Sequence, residues 1–420
     1  MSSQTLGPKF NRRSLVKGAA ALGAFQVASP FLIQARGEAP LRIGMVDPLT
    51  GVYAAPAGNE VMGAKLAVEH INAKGGILGR QVELLVEDSA NDVGTGVQKA
   101  RKLIERDQVS FMIGDVNSAI AAAIAQVTNE KKILHIVSGG HTDSITGKDC
   151  KWNVFRVCNT TRMEANSVCD VLFKKYGKKW HFITPDYAFG HTLFDACTAD
   201  LKKLGGTVTG NELTPLGTTD FSAYLIKARA ANPDVMILLV QGSDMINCLK
   251  QIVQFGLNKQ IHVAGTQQEL ESLAGLPPEA RIGTWMFEWY WKQPGVAGVD
   301  KFVADIRKVN NGHVPTARHW FGYTSAMSFA LVANQQKTLD AVKLSGALEN
   351  FELPDDVKLQ PNKVYYRKGD HQLMTSAFVG EAQSTGKDDP EDLYKVDEVV
   401  AGDKTAPPVD ETGCTIKWPT

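Results

Sequence analysis

Two carboxylates stand where apolar runs of this chain end. Asp47 closes Leu41-Arg-Ile-Gly-Met-Val-Asp47, and Asp115 follows Val109-Ser-Phe-Met-Ile-Gly114. Acids at strand ends suit general acid–base work, but nothing in the sequence supplies the rest of such a site. No G-x-S-x-G elbow, H-E-x-x-H helix, Walker loop or G-x-G-x-x-G turn after the first strand occurs. Acids number 45, so chance pairs abound, and none falls at a spacing that signals catalysis. The two aspartates are read as acceptors for loop amides. Six cysteines, Cys150, Cys158, Cys169, Cys197, Cys248 and Cys414, include no C-x-x-C and no histidine at zinc-ligand spacing. Cys169 and Cys197 fall in helical patterns as small core residues. Cys150 and Cys414 lie in polar, loop-like stretches where an oxidising compartment allows pairing, although spacing does not give connectivity. The chain is expected to be no enzyme and to need no metal or cofactor. What remains is binding chemistry, carried by serines, glycines, glutamines and rings just beyond apolar runs.

These residues need elements to hold them. Short apolar runs alternate with amphipathic stretches: strand patterns at 41–47, 81–87, 109–114 and 133–137, then at 180–184, 207–213, 235–240 and 261–264. Helical patterns lie between them, and the opening one ends at Gly75-Gly76. That order predicts an α/β protein of two doubly wound parallel-sheet lobes joined by crossing segments. Residues 151–160 read as one crossing and 284–291 as another. The expected division is 41–158 with 287–354 in lobe 1, 159–286 with 355–381 in lobe 2, and 382–420 as a surface tail rich in Asp, Glu, Lys, Pro and Gly. Parallel sheets bind ligands beyond the carboxyl ends of their strands, so facing lobes make a cleft.

Residues 1–39 read as an export signal of twin-arginine type: Asn11-Arg-Arg-Ser-Leu-Val-Lys17, an apolar segment from Gly18 to Val27, then small residues up to Ala35 or Ala39. The apolar segment is far shorter than the ~20 residues needed to cross a bilayer. A periplasmic protein with its signal removed is expected. Lys plus Arg equals Asp plus Glu at 45 each, which leaves no basic surplus for nucleic acid.

Three stretches resemble a known family: Ile43-Gly-Met-Val-Asp-Pro-Leu-Thr-Gly51, the segment from Gly63 to Gly79, and Tyr187-Ala-Phe-Gly190. They look like the leucine/isoleucine/valine-binding proteins of ABC importers, over roughly residues 41–380. The resemblance implies a type I periplasmic binding protein, a monomer that closes on one small-molecule ligand and delivers it to a membrane permease. It also implies contact positions. Ser118, with Asn117 before it, stands where amino-acid binders hold the ligand carboxylate, and the helix opening there favours an anion while Ser118 caps it. Ser138, Gly139, Gly140 and His141 form the next loop, with His141 in place of a threonine. Tyr187 and Phe189 match an aromatic contact region, and Gln241 follows the strand at 235–240. Gln267 holds the position where amino-acid binders keep an acid for the ligand's ammonium.

A buried ammonium without a counter-charge is costly, although Glu269, Glu271 or Glu288 could substitute. Tyr53, Tyr187, Phe189 and Trp289, from the run Trp285-Met-Phe-Glu-Trp-Tyr-Trp291, supply rings for a planar ligand. The expected solute is an aromatic carboxylate. A branched-chain amino acid, a short amide or urea is the alternative, and a ligand-sensing receptor subunit is a further one.

Overall fold

The computed structural model describes residues 38–419; the expected export signal lies outside the described residues apart from its last two positions. Residues 39–420 form one compact unit built on two sheets. The first contains β1 (Leu41–Asp47), β2 (Val82–Asp88), β3 (Phe111–Ile113), β4 (Leu134–Val137) and β5 (Val154–Arg156), all parallel, in the order β2-β1-β3-β4-β5. The second is built on β6 (Lys179–Pro185), β7 (Thr207–Thr214), β8 (Val235–Leu238), β9 (His262–Ala264) and β10 (Thr284–Phe287). A two-stranded hairpin, β11 (Tyr365–Tyr366) with β12 (Leu373–Met374), precedes β13 (Ala377–Ala382) and β14 (Tyr394–Val400). The second sheet runs β14-β13-β10-β9-β8-β6-β7, parallel except where β13 pairs antiparallel with β10 and β14 with β13. Central strands such as β3, β4 and β8 are buried along their whole length, as expected of sheets covered on both faces. No described helix is long and apolar enough to cross a membrane.

Three parts of the chain differ from the sequence expectation. The segment 151–160 is not purely a crossing, because β5 completes the first sheet. Residues 355–374, expected in the second lobe, pack on the first core through Val357, Leu359, Val364, Tyr366 and Leu373. The passage to the second sheet comes just before β13. Residues 382–420 are no mere surface tail. β14 extends the second sheet, Leu393 and Tyr394 are buried in its core, and a disulfide joins Cys150 to Cys414 with Cα atoms 5.6 Å apart. Polar composition misled there, because β14 is an edge strand with only one covered face.

Two long helices, Ala54–Ala73 and Ala317–Gln336, cross on the first lobe. Glycines permit the close approach: a Cβ on Gly63 would run into the His319 carbonyl, and one on Gly322 into the Glu60 carbonyl. The crossing thereby sets Glu60 of one helix against Arg318 of the other.

Candidate functional site

The strand-end loops of both lobes meet around this crossing. Tyr53, just before the first long helix, and Tyr187, just before helix Ala188–Lys203, bring their hydroxyls to 2.7 Å across the cleft. The Ser243 amide donates to the Val52 carbonyl at 3.2 Å, again across it. The two sets of loops are therefore in contact, with the site's side chains shut away from solvent.

At the centre lies an ionic cluster. Arg318 donates from Nη1 to Glu60 Oε1 at 2.8 Å and from Nε to Glu269 Oε1 at 2.5 Å, so one guanidinium ties the first lobe to the loop after β9. Ser138 Oγ donates to the other Glu60 oxygen at 2.5 Å. Beside them His141 Nδ1 stands 3.0 Å from Glu164 Oε1 and 3.2 Å from Glu288 Oε1. The other Glu288 oxygen accepts from the Asn159 amide at 2.5 Å, Gln267 Nε2 donates to Glu288 Oε1 at 3.1 Å, and Thr266 Oγ1 donates to Glu164 Oε2 at 3.1 Å. Arg156, bonded to the Gly140 and Thr142 carbonyls, stands behind the His141 loop.

Burial dominates the electrostatics. It raises Glu60 above the usual carboxylate range, although Arg318 and Ser138 pull the other way. It raises Glu164 well above that range, helped by Glu288. Glu288 is pushed up to about 8, again by burial, against the Asn159 N–H and Arg318. Glu271 reaches about 8 through burial and the neighbouring Glu269. His141 is held well below its normal value by burial and by Arg318 and Arg156. For Arg318, burial opposes the charge, but Glu269 and Glu60 outweigh it and its pKa rises. Glu60 and Glu269 thus share the Arg318 guanidinium in a dry interior, with Glu164 and Glu288 beside them. Several polar atoms there are buried with no hydrogen-bond partner: Glu164 Oε1, Glu269 Oε2, Gln241 Oε1, Gln267 Oε1 and His141 Nδ1.

The residues expected from sequence are not all gathered here. Tyr53, Ser138, Gly139, His141, Tyr187, Gln241 and Gln267 surround the cluster. A Cβ on Gly139 would meet the Arg318 guanidinium and the Glu60 carboxylate, so the close approach that glycine allows is to this pair. Gly140 is tight against Ala121 and Ile145. Phe189 packs in the second lobe's core, with its ring centroid 5.8 Å from that of His141. Asn117, and not Ser118, caps helix Ser118–Glu130, its side chain accepting from the Ala119 and Ile120 amides. Ser118 is the first helical residue, and its Oγ accepts from the Thr142 amide at 3.2 Å. Trp289 is no wall of the cleft. It is buried in the first lobe's core, stacked edge-on to Phe302 and donating to the Leu359 carbonyl at 2.7 Å. An aromatic run at a crossing alternates its faces, and Trp289 takes the inward one. Asp47 and Asp115 accept from the Val116 amide at 3.0 Å and the Asn117 amide at 2.7 Å, as loop acceptors.

Sequence reasoning missed Glu60, Glu164 and Arg318, which lie inside helices with no local motif. Of the acids named as substitutes for the one that Gln267 replaces, Glu269 bonds Arg318 and Glu288 accepts from Gln267.

The sequence profile of a family described as "Periplasmic binding protein" matches residues 40–387. The Leu/Ile/Val-binding protein BraC3 of Rhizobium johnstonii is 33% identical over 200 residues, which is 47% of this chain and 54% of that protein, so that match spans about half the relative's length. Leu/Ile/Val-binding protein homolog 2 of Brucella abortus is 27% identical over 352 residues, 79% of this chain and 92% of that one. The crystal structure of an amino acid ABC transporter substrate-binding protein from Pseudomonas fluorescens Pf-5 superposes with a TM-score of 0.81 at 25% identity, covering 90% of this chain and 100% of that one.

Proposed function

The chain belongs to the periplasmic binding protein family, the substrate-binding proteins of ABC transporters, and we propose that its solute presents a donor-rich head, an ammonium or amide, to the loops after β8 and β9. Amino acids and short amides, urea included, are the ligand class. The observation that carries this reading is the set of buried, unpartnered acceptors Glu269 Oε2, Gln241 Oε1 and Gln267 Oε1. Each costs free energy while unpaired, and a ligand N–H removes that cost. Membership of the family makes the protein a binder and not an enzyme, located in the periplasm and working with a membrane permease. A monomeric mature chain, freed of residues 1–39, completes the proposal. N-terminal sequencing of the exported protein checks the cleavage.

An aromatic carboxylate is the second reading, favoured by Tyr53, Tyr187 and Phe189, whose neighbouring ring centroids lie 6.4 and 6.0 Å apart. It faces a harder electrostatic test, since an anion would enter a cluster already rich in carboxylates. Titration calorimetry with leucine, phenylalanine, short amides, urea, benzoate and cinnamate separates the two. The donor-bearing solutes are expected to bind most tightly, and Glu269→Gln to weaken them about tenfold or more. Benzoate or cinnamate as the tightest ligand would overturn the first reading.

A further inference from the structure

The His141 side of the cluster brings one imidazole nitrogen against two carboxylates at once. His141 Nδ1, Glu164 Oε1 and Glu288 Oε1 lie within 4.8 Å of one another, and among the described residues no other group of three metal-ligating side chains converges in this way. All three residues are more than nine-tenths buried. Nδ1 approaches the two carboxylate oxygens at 3.0 and 3.2 Å, yet Nδ1 and Glu164 Oε1 have no hydrogen-bond partner. Those separations match a coordination sphere. Metal–ligand bonds of about 2.0–2.2 Å put neighbouring donors about 2.8–3.6 Å apart in octahedral or tetrahedral geometry. The outer contacts of the two carboxylates fit as well: Thr266 orients Glu164, the Asn159 amide and Gln267 orient Glu288, and metal-ligating carboxylates are normally held by such secondary hydrogen bonds. The ion-pair contacts of Arg318 go to Glu60 and Glu269, and Glu164 and Glu288 are not bonded to it.

We propose that His141, Glu164 and Glu288 form a site for one divalent transition-metal ion, clasped between the two lobes. One imidazole and two carboxylates suit zinc, cobalt or manganese. His141 comes from the loop after β4, whereas Glu164 and Glu288 belong to the helix after the first crossing and to the loop after β10, so the ion would help hold the cleft shut. Three protein donors leave a coordination position open to water or to a donor atom of the solute. The inference goes beyond the solute reading and does not rest on it. The rival occupant is a proton: Arg318 Nη2, 3.4 Å from His141 Nε2, favours the tautomer with its proton on Nδ1, between the carboxylates.

The test is cobalt(II) titration of the tag-free, chelator-stripped exported protein, followed by calorimetry and by the visible d–d bands of bound cobalt, with zinc as competitor. One equivalent per chain is expected. His141→Ala should abolish the bands, and Glu164→Gln and Glu288→Gln should each weaken binding at least tenfold while the near-ultraviolet circular dichroism stays native. His313→Ala, which alters a surface histidine paired with Glu391, should bind cobalt unchanged. No saturable cobalt uptake, the proton's result, would overturn the proposal, as would binding that survives in His141→Ala. Solute binding by stripped protein without cobalt uptake sinks the metal site alone. Cobalt uptake with no response to any solute supports the metal site and sinks the solute class instead.

Discussion

Replacing Arg318 by Met removes the one cation that two buried carboxylates share. Arg318 is 3% exposed and Glu60 0%, and the guanidinium donates to Glu60 at 2.8 Å and Glu269 at 2.5 Å. Breaking a buried ion pair from one side costs about 3–5 kcal/mol, because the remaining charge is stranded. An unfolding entropy of about 2.1 cal/mol/K per residue gives about 0.8 kcal/mol/K for a chain of about 380 residues, so Tm should fall by about 4–6 °C at pH 7.5. The loss should depend on pH. Glu60 is already raised by burial, and without Arg318 it rises further. A carboxyl whose folded pKa exceeds its unfolded value destabilises progressively as pH climbs from the unfolded to the folded value, and costs nothing extra below both. The gap between variant and wild type should therefore shrink at pH 5, where the stranded Glu60 carboxyl takes up a proton. Differential scanning calorimetry at both pH values measures it. A deficit under about 1 °C at pH 7.5, or one that widens on acidification, would refute the argument that Arg318 compensates buried charge.

Four other outcomes follow from the same contacts. Gly63→Ala should lower stability by about 1–3 kcal/mol, since its methyl group meets the His319 carbonyl at the helix crossing, and chemical denaturation reads it. Cys150→Ser with Cys414→Ser should cost about 2–4 kcal/mol by releasing a crosslink across 264 positions, seen as a lowered denaturation midpoint under non-reducing conditions. Tyr187→Phe removes the hydroxyl that meets Tyr53 across the cleft and should weaken closure by about 0.5–1.5 kcal/mol, visible as a larger mean radius in small-angle scattering. In metal-free buffer Glu288→Gln should gain stability relative to wild type as pH rises from about 4.5 towards 8, because burial pushes the wild-type carboxyl up to about 8 and ionising it costs stability over that window; parallel pH profiles would count against that assignment.

Much of the architecture was legible in the sequence because periodicity reports burial directly. Runs such as Val235 to Leu238 are apolar on both faces only when helices cover both, and that alone specifies parallel α/β lobes with loops converging on a cleft. The loops holding Ser138, His141, Tyr187, Gln241 and Gln267 followed from strand ends. The rest depended on contacts between distant residues. Glu60 and Arg318 are 258 positions apart, and Glu164 and Glu288 meet His141 from two other segments. No local pattern marks a helical acid as buried, and its charge is tolerated only because a guanidinium from another helix arrives beside it. Composition placed 382–420 outside the fold, while pairing with β13 drew β14 into it. Glu269, Glu271 and Glu288 were open candidates for the acid that Gln267 replaces, and folding set Glu269 on Arg318 and Glu288 on Gln267. The sequence determined the scaffold and which loops face the cleft, whereas tertiary structure alone decided the charge within it, because electrostatic balance in a dry interior belongs to the assembled cluster and to no single segment.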